Sequence, residues 1–239
     1  MRGLGTIANV AAVIVGGLLG LLLKNGLKQR FQDILMKALG LCTMFLGISG
    51  ALTGLLEISD GKLATAGTAV LIASIVGGAL IGEWINIDRG LERFGQWLRR
   101  RAKSENDAGF MDGFVNASLV VCVGAMAIVG SVEDGLKGDA SMLYVKSVLD
   151  CVIVLVFAST YGKGAIFSAI PVGLLQGSVT LLAGIVAPIL GQAVISGLSF
   201  VGSALIFCVG VNLVFGNKFK VANMLPALVI AGAMAGFMG

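Results

Sequence analysis

Residues 4–23 read LGTIANVAAVIVGGLLGLLL, and the run ends on Lys24. An α-helix rises about 1.5 Å per residue and a bilayer core is about 30 Å thick, so an uncharged run of this length predicts a membrane-spanning helix. Arg2 precedes it, as a basic residue precedes the apolar part of a secretory signal peptide. Such a peptide, however, carries an apolar stretch of only about 7–15 residues and then a small-residue cleavage site. Here the stretch is longer and runs on into Lys24, Lys28 and Arg30, which predicts a retained first helix.

The same texture recurs along the chain, at 38–56, 64–85, 110–132, 142–161, 164–190, 195–215 and 221–238. Of the 239 residues 57% are hydrophobic and 13% charged, and the mean hydropathy is +0.98. So few charges do not cover the surface of a water-soluble domain. The segments lack the two-residue alternation of a membrane barrel, which leaves helices as the means of satisfying the backbone inside lipid. The fold class expected is all-α, a polytopic membrane helix bundle of about 7–8 transmembrane helices in a single transmembrane domain spanning 1–239.

Charges between the segments set an orientation by the positive-inside rule. Alternate breaks hold Lys24, Lys28, Arg30 and Lys37; Arg89, Arg93, Arg99, Arg100, Arg101 and Lys103; Lys163; and Lys218 with Lys220. These breaks are expected on the cytoplasmic side. Glu57, Asp60 and Lys62, then Glu133, Asp134, Lys137 and Asp139, fall in the opposite set, so both termini are expected outside the cytoplasm. The net charge of +4 follows from this asymmetry and gives no support to nucleic-acid binding. Between Leu91 and Lys103, Leu91, Phe94 and Trp97 or Leu98 share a helical face opposite Arg93, Arg99, Arg100 and Arg101. That run reads as a short surface helix beside anionic headgroups or as a simple basic anchor.

Four cysteines, Cys42, Cys122, Cys151 and Cys208, lie in apolar segments, and the chain has no histidine. Without a CxxC pair, a disulfide framework and a zinc site are not expected; the thiols read as small hydrophobes, with soft-metal coordination the sharper alternative. There is no phosphate-binding GxxxxGK[ST] run and no HExxH. No cofactor and no enzymatic activity are expected.

The segment 164–190 is too long for a straight crossing and contains Pro171, Gly173, Gln176, Gly177, Ser178, Thr180, Gly184 and Pro188. A break is expected there, for instance between a piece ending at Gln176 and one beginning at Ser178. Breaks of this kind need protein or water to satisfy the freed backbone. Laying the first segment on the fourth aligns Asn9 with Asn116 and Gly17 with Gly124, then Gly26-Leu27-Lys28 with Gly135-Leu136-Lys137 after a two-residue insertion. Lys37 then meets Lys146, and Cys42 meets Cys151. The match divides the chain into one unit at 4–103, a second, inverted unit at 110–190, and two further helices at 195–238. Inverted three-helix units are a common construction of secondary carriers, with a site near the midplane.

Glycines four residues apart, Gly16 and Gly20, Gly50 and Gly54, Gly78 and Gly82, Gly173 and Gly177, and Gly232 and Gly236, predict close helix packing, within one bundle or across a homo-oligomer. Against that apolar background Asp150 stands out, halfway along its segment, where an acid is costly. It binds a cation, relays a proton, or pairs with Lys146 one turn earlier. Asn9 and Asn116 occupy equivalent places in the two units and read as ligand-binding amides or as interhelical glue. Gln176, Ser178 and Asn212, with Ser118, Ser159, Thr160 and Thr180, complete a candidate polar lining. Asp150, Asn9, Asn116, Gln176, Ser178 and Asn212 are thus the candidate substrate-binding set. Glu83, Asp112 and Asn223 fall near helix ends, where solvation explains them.

Several stretches also carry a family resemblance: Gly3-Leu4-Gly5-Thr6 with Asn9 and Gly16-Gly17; the run from Phe114 through Asn116-Ala117-Ser118 and Cys122-Val123-Gly124 to Glu133-Asp134-Gly135-Leu136; Phe157-Ala158-Ser159-Thr160; Pro171 with Gln176-Gly177-Ser178; and Gly210-Val211-Asn212-Leu213 leading to Asn223-Met224-Leu225-Pro226-Ala227. Over essentially its whole length the chain resembles the bacterial inner-membrane family of domain of unknown function 554, the YqgA-like proteins. The resemblance implies a multi-pass protein of the bacterial cell membrane and brings no ligand or catalytic residue with it. The function expected from the residues is a small-solute or ion transporter with a midplane polar site. The competing reading is a non-transporting membrane scaffold or accessory subunit.

Overall fold

The computed structural model describes residues 2–24, 28–59, 61–105, 107–188 and 190–238. It is a helical membrane protein. In order come α1 (Leu4–Lys24), α2 (Gln29–Leu55), the strands β1 (Leu56–Ser59) and β2 (Lys62–Thr65), α3 (Thr68–Ile85), α4 (Ile87–Arg101), α5 (Phe110–Cys122), α6 (Ala125–Lys137) and α7 (Ser141–Tyr161). A 3-10 turn at Lys163–Ser168 leads to α8 (Ala169–Leu181) and α9 (Ala183–Val186), followed by α10 (Gln192–Phe215), α11 (Val221–Met224) and α12 (Pro226–Met238). Six of the helices are long and apolar enough to cross a membrane, and α5 with α6, bent by 60°, makes a seventh when taken as one span.

Every expected segment is present, with instructive differences at the edges. Helix α2 starts at Gln29, well before residue 38, because Gln29 donates to Asp33 one turn on at 2.8 Å and so continues the helix through its polar start. Strands β1 and β2 pair antiparallel, Leu56 with Thr65 and Ser59 with Lys62. Gly61 at φ +72° supplies the left-handed turn position between them. Helix α6 runs to Lys137, so Glu133 and Asp134 are helical rather than loop residues. The fourth segment bends at Val123-Gly124, where Gly124 takes φ +156°, a break not anticipated from the sequence. Gly26-Leu27, one side of the proposed repeat match, and Asp60 lie outside the described residues.

The sixth segment is broken as expected, but elsewhere. Helix α8 continues through Gln176, Gly177 and Ser178 and ends at Leu181, with Leu182 at φ −94° before the short α9. The reason lies in where proline falls. Pro171 is in the first turn of α8, where its missing N–H is not needed, and so it begins the helix rather than interrupting it. Pro226 opens α12 in the same way.

Packing groups the chain into two compact units, Met1–Leu39 with Gly90–Cys122 and Met126–Ala187, and Gly40–Arg89 with Val123–Ala125 and Pro188–Gly239. Each draws on both halves of the sequence, since compact units and sequence repeats are different partitions of a chain. In the first unit α1 lies along α7. Gly5, Asn9, Val13, Gly16 and Gly20 recur at helical spacing on the buried face of α1, while Ile7, Ile14, Leu18 and Leu22 are exposed. Small and polar inside, large and aliphatic outside, is the arrangement of a helix solvated by lipid. A Cβ on Gly16 would collide with the Cys151 carbonyl, and one on Gly20 with that of Leu155, so glycine is what brings the two backbones together.

Charged loop residues meet at one end of this unit. Lys24 pairs with Asp107 at 3.5 Å, and Asp107 also accepts from the Lys163 N–H at 3.0 Å. At the other end Arg2 donates to the Leu136 carbonyl at 3.3 Å. Helix α4 turns Gly95 and Leu98 onto Met111, Phe110 and Phe114 of α5. Its buried face is therefore narrower than expected, and Trp97 remains exposed under the Arg101 guanidinium at 5.6 Å.

The second unit is knit by the same device. Gly47 and Gly54 of α2 approach Phe207 and Phe200 of α10, and Gly78 and Gly82 of α3 meet Ala227 and Asn223. Phe200, Val201, Ala227 and Ala231 form its core.

Candidate functional site

The close approach of α1 and α7 decides what happens at Asp150. The residue is 2% exposed, and its carboxylate accepts from the Lys146 ammonium at 2.8 Å through each oxygen. Helical geometry accounts for this, because residues four apart stand one above the other on one face. From α1, Asn9 Nδ2 donates to Asp150 Oδ2 at 2.9 Å. A carboxylate offers no proton, so the contact fixes the orientation of the Asn9 amide and leaves its Oδ1 as a free acceptor. That atom is buried and has no partner among the described residues.

Gln176 is the second unusual side chain. It is 1% exposed, among the largest fully buried side chains, and neither Oε1 nor Nε2 has a partner among the described residues. Thr6 Oγ1 lies 3.3 Å from Thr180 Oγ1, and Val10 lies against Gly173. Between those two crossings the antiparallel register of α1 and α8 places Asn9 and Gln176 at the same level. Asn116 is buried on α5 at 8% exposed, and Ser118 Oγ, two residues on, also has no partner among the described residues.

Other candidates are engaged elsewhere. Ser178 is exposed and donates back to the Leu175 carbonyl at 2.8 Å. Asn212 belongs to the second unit. Its Nδ2 donates to the Phe219 carbonyl at 2.7 Å, and its Oδ1 accepts from the Lys218 and Phe219 N–H groups at 2.8 and 2.9 Å. Its amide closes the turn after α10 and has little capacity left for a solute. Asn223 is not a solvated end residue: at 2% exposed it donates to Glu83 and accepts from the Asp88 N–H, both at 2.6 Å. Lys220 pairs with the other Glu83 oxygen at 2.8 Å.

Two participants are not among the candidate site residues read from the sequence. Asp134, fully buried on α6, accepts from Gly3 N–H at 3.1 Å and Gly5 N–H at 3.0 Å. It thereby satisfies amides that the start of α1 leaves unpaired, and it places a negative charge at the positive end of the helix. Thr6 faces the same end. A cleft of about 500 Å³ opens there, lined by Arg2, Thr6, Leu136, Gly177, Thr180 and Ala183 among others. Among the described residues no cluster of three or more Cys, Asp or Glu side chains could hold a metal ion.

Lipid-facing aliphatic surfaces around a buried ion pair define a polytopic α-helical membrane protein with a polar interior. The chain belongs to the family described as "Protein of unknown function (DUF554)", which matches residues 4–235. It is similar to the uncharacterized membrane protein YdfK of Bacillus subtilis (strain 168), 34% identical over 226 residues covering 95% of this chain and 93% of the relative. It is also similar to the uncharacterized protein YqgA of Escherichia coli (strain K12), 28% identical over 232 residues covering 95% and 94%. No solved structure matches it.

Proposed function

We propose that the protein is a small-solute or ion transporter of the bacterial inner membrane, with its site where α1 packs against α7 and α8. The observation that carries this reading is the Lys146–Asp150 pair bonded to Asn9, with Asn9 Oδ1 and both polar atoms of Gln176, at the same level on α8, left without a partner among the described residues. Buried polar groups are nearly always hydrogen-bonded, and intramembrane charges commonly mark solute pathways. The reading is supported by the sequence match relating 4–103 to 110–190, with helices 195–238 outside the pair, since inverted units are common in carriers, and by the basic breaks, from which both termini are expected outside the cytoplasm. Reconstitution of the full chain in liposomes with a panel of cations, amino acids and small neutral metabolites tests the reading. Movement of at least one solute above protein-free vesicles is expected, reduced in Asp150→Asn; no movement of any solute removes it.

One observation favours a second reading. Lys146 satisfies both oxygens of Asp150, as it would in a non-transporting scaffold or accessory subunit whose ion pair is purely structural. That reading expects a stable partner protein in mild-detergent pull-downs and no transport.

A further inference from the structure

We propose that the cleft bounded by Arg2, Thr6, Leu136, Gly177 and Thr180 is the mouth of this site, and that the solute it admits is small, uncharged and carries an amide or urea-type group. The inference rests on the transport reading and names its substrate class. Thr6 and Thr180 both line the cleft and their hydroxyl oxygens meet at 3.3 Å. Asn9 follows Thr6 by three residues on α1, and Gln176 precedes Thr180 by four on α8, so both amides lie one turn further in on the same helix faces. The order from the opening inward is therefore cleft, threonine pair, amide pair, ion pair.

The unspent hydrogen-bonding capacity sets the chemistry. Lys146 and Asp150 cancel each other at 2.8 Å, so a solute with net charge would leave water for a place without a net counter-charge, which is costly. What remains open is one acceptor on Asn9, one acceptor on Gln176 and the two N–H donors of Gln176. A primary amide or urea presents the complement, N–H donors next to a carbonyl acceptor. A cation would first have to displace the Lys146 ammonium from Asp150.

The test follows acetamide into proteoliposomes of the full chain by stopped-flow light scattering after an osmotic step, with methylammonium and acetate as charged counterparts of similar size. Acetamide entry is expected to exceed that of protein-free vesicles by about tenfold, while the charged solutes show no gain. Gln176→Leu should abolish the gain. Gly177→Phe serves as the second variant: a Cβ at Gly177 meets nothing within 4 Å, so the ring can fill the cleft without disturbing the amides, and it too should abolish the gain. This variant decides the matter if Gln176→Leu does not fold. Acetamide entry unchanged in Gly177→Phe overturns the route. Movement of methylammonium or acetate without acetamide overturns the substrate class and leaves the transport reading standing; movement of none of the three also overturns the substrate class, while the transport reading falls only if the wider solute panel stays still as well.

Discussion

Replacing Asp150 with leucine strands the Lys146 ammonium among apolar side chains. The two side chains are only 3% and 10% exposed and touch through both carboxylate oxygens at 2.8 Å. Removing one member of a buried pair typically costs about 3–5 kcal/mol, because the survivor stays buried without compensation. Lys146→Met, which strands the carboxylate, is expected in the same range, softened by the remaining Asn9 bond. The double variant Lys146→Met with Asp150→Leu removes both charges and keeps comparable volume. It is left with the unpaired Asn9 Nδ2, a loss of about 1 kcal/mol in the range of ordinary buried hydrogen bonds. The double variant should therefore be more stable than either single one. Unfolding by SDS titration in mixed micelles, followed by the fluorescence of Trp97 and Trp84, measures all four corners of the cycle. If the double variant falls as far as the sum of the single ones, or the single ones match the parent, the pair is not the buried interaction described. The double variant also separates the two functional readings, since a scaffold should keep its partner when the charges are gone and a carrier should lose transport.

Gly16→Ala should destabilise the first unit by about 1–3 kcal/mol, because the added methyl meets the Cys151 backbone carbonyl rather than a side chain that can rotate away. Gly177→Ala, with open space at its Cβ, should instead be neutral or stabilising by up to about 1 kcal/mol through helix propensity; the same SDS titration checks both, and equal effects would refute the packing argument. At the start of α7, the Ser141 hydroxyl and then its backbone N–H hold the Asp139 carboxyl below the ordinary carboxylate range. A lowered folded value gives stability that is present above the unfolded value and lost as pH falls through the folded one. Asp139→Asn should accordingly lower Tm slightly at neutral pH, with the difference vanishing in acid; a difference that persists unchanged in acid removes the bond as its cause.

Hydropathy made the spans legible because lipid solvation imposes one composition on every exposed helix face, and Leu18 and Leu22 obey it whatever α1 packs against. The glycine spacing at Gly16 and Gly20 likewise announced a close contact. It could not announce the partner: that α1 lies on α7 is a matter of which grooves fit, spread over many small contacts with no single sequence token. Asn9 and Asp150 were each visible as polar exceptions, whereas their hydrogen bond needed that pairing. Asn212 shows the reverse case. An amide reads the same whether it faces a solute or closes a turn, and only the Gly216-Asn217-Lys218-Phe219 segment after it hinted at the turn. Asp134 was hidden by its neighbours, since an acid among Glu133, Lys137 and Asp139 looks like solvated loop until α6 is seen to carry it onto the start of α1.

These placements change which residue most needs a functional explanation. By sequence it was Asp150, the charge least accounted for by topology. In the structure every oxygen of that carboxylate is engaged, by Lys146 from the same helix and Asn9 from α1, so helix geometry and packing account for it. Gln176 is the opposite: in the sequence one of several candidate lining amides, it is 1% exposed with both polar atoms unpartnered among the described residues. A leucine would fill the same space without the cost of burying an unsatisfied amide, typically about 1–3 kcal/mol for each such group. On the transport reading a transient partner for Gln176 would offset that cost whenever it is present, which makes Gln176, rather than Asp150, the residue that reading has to explain.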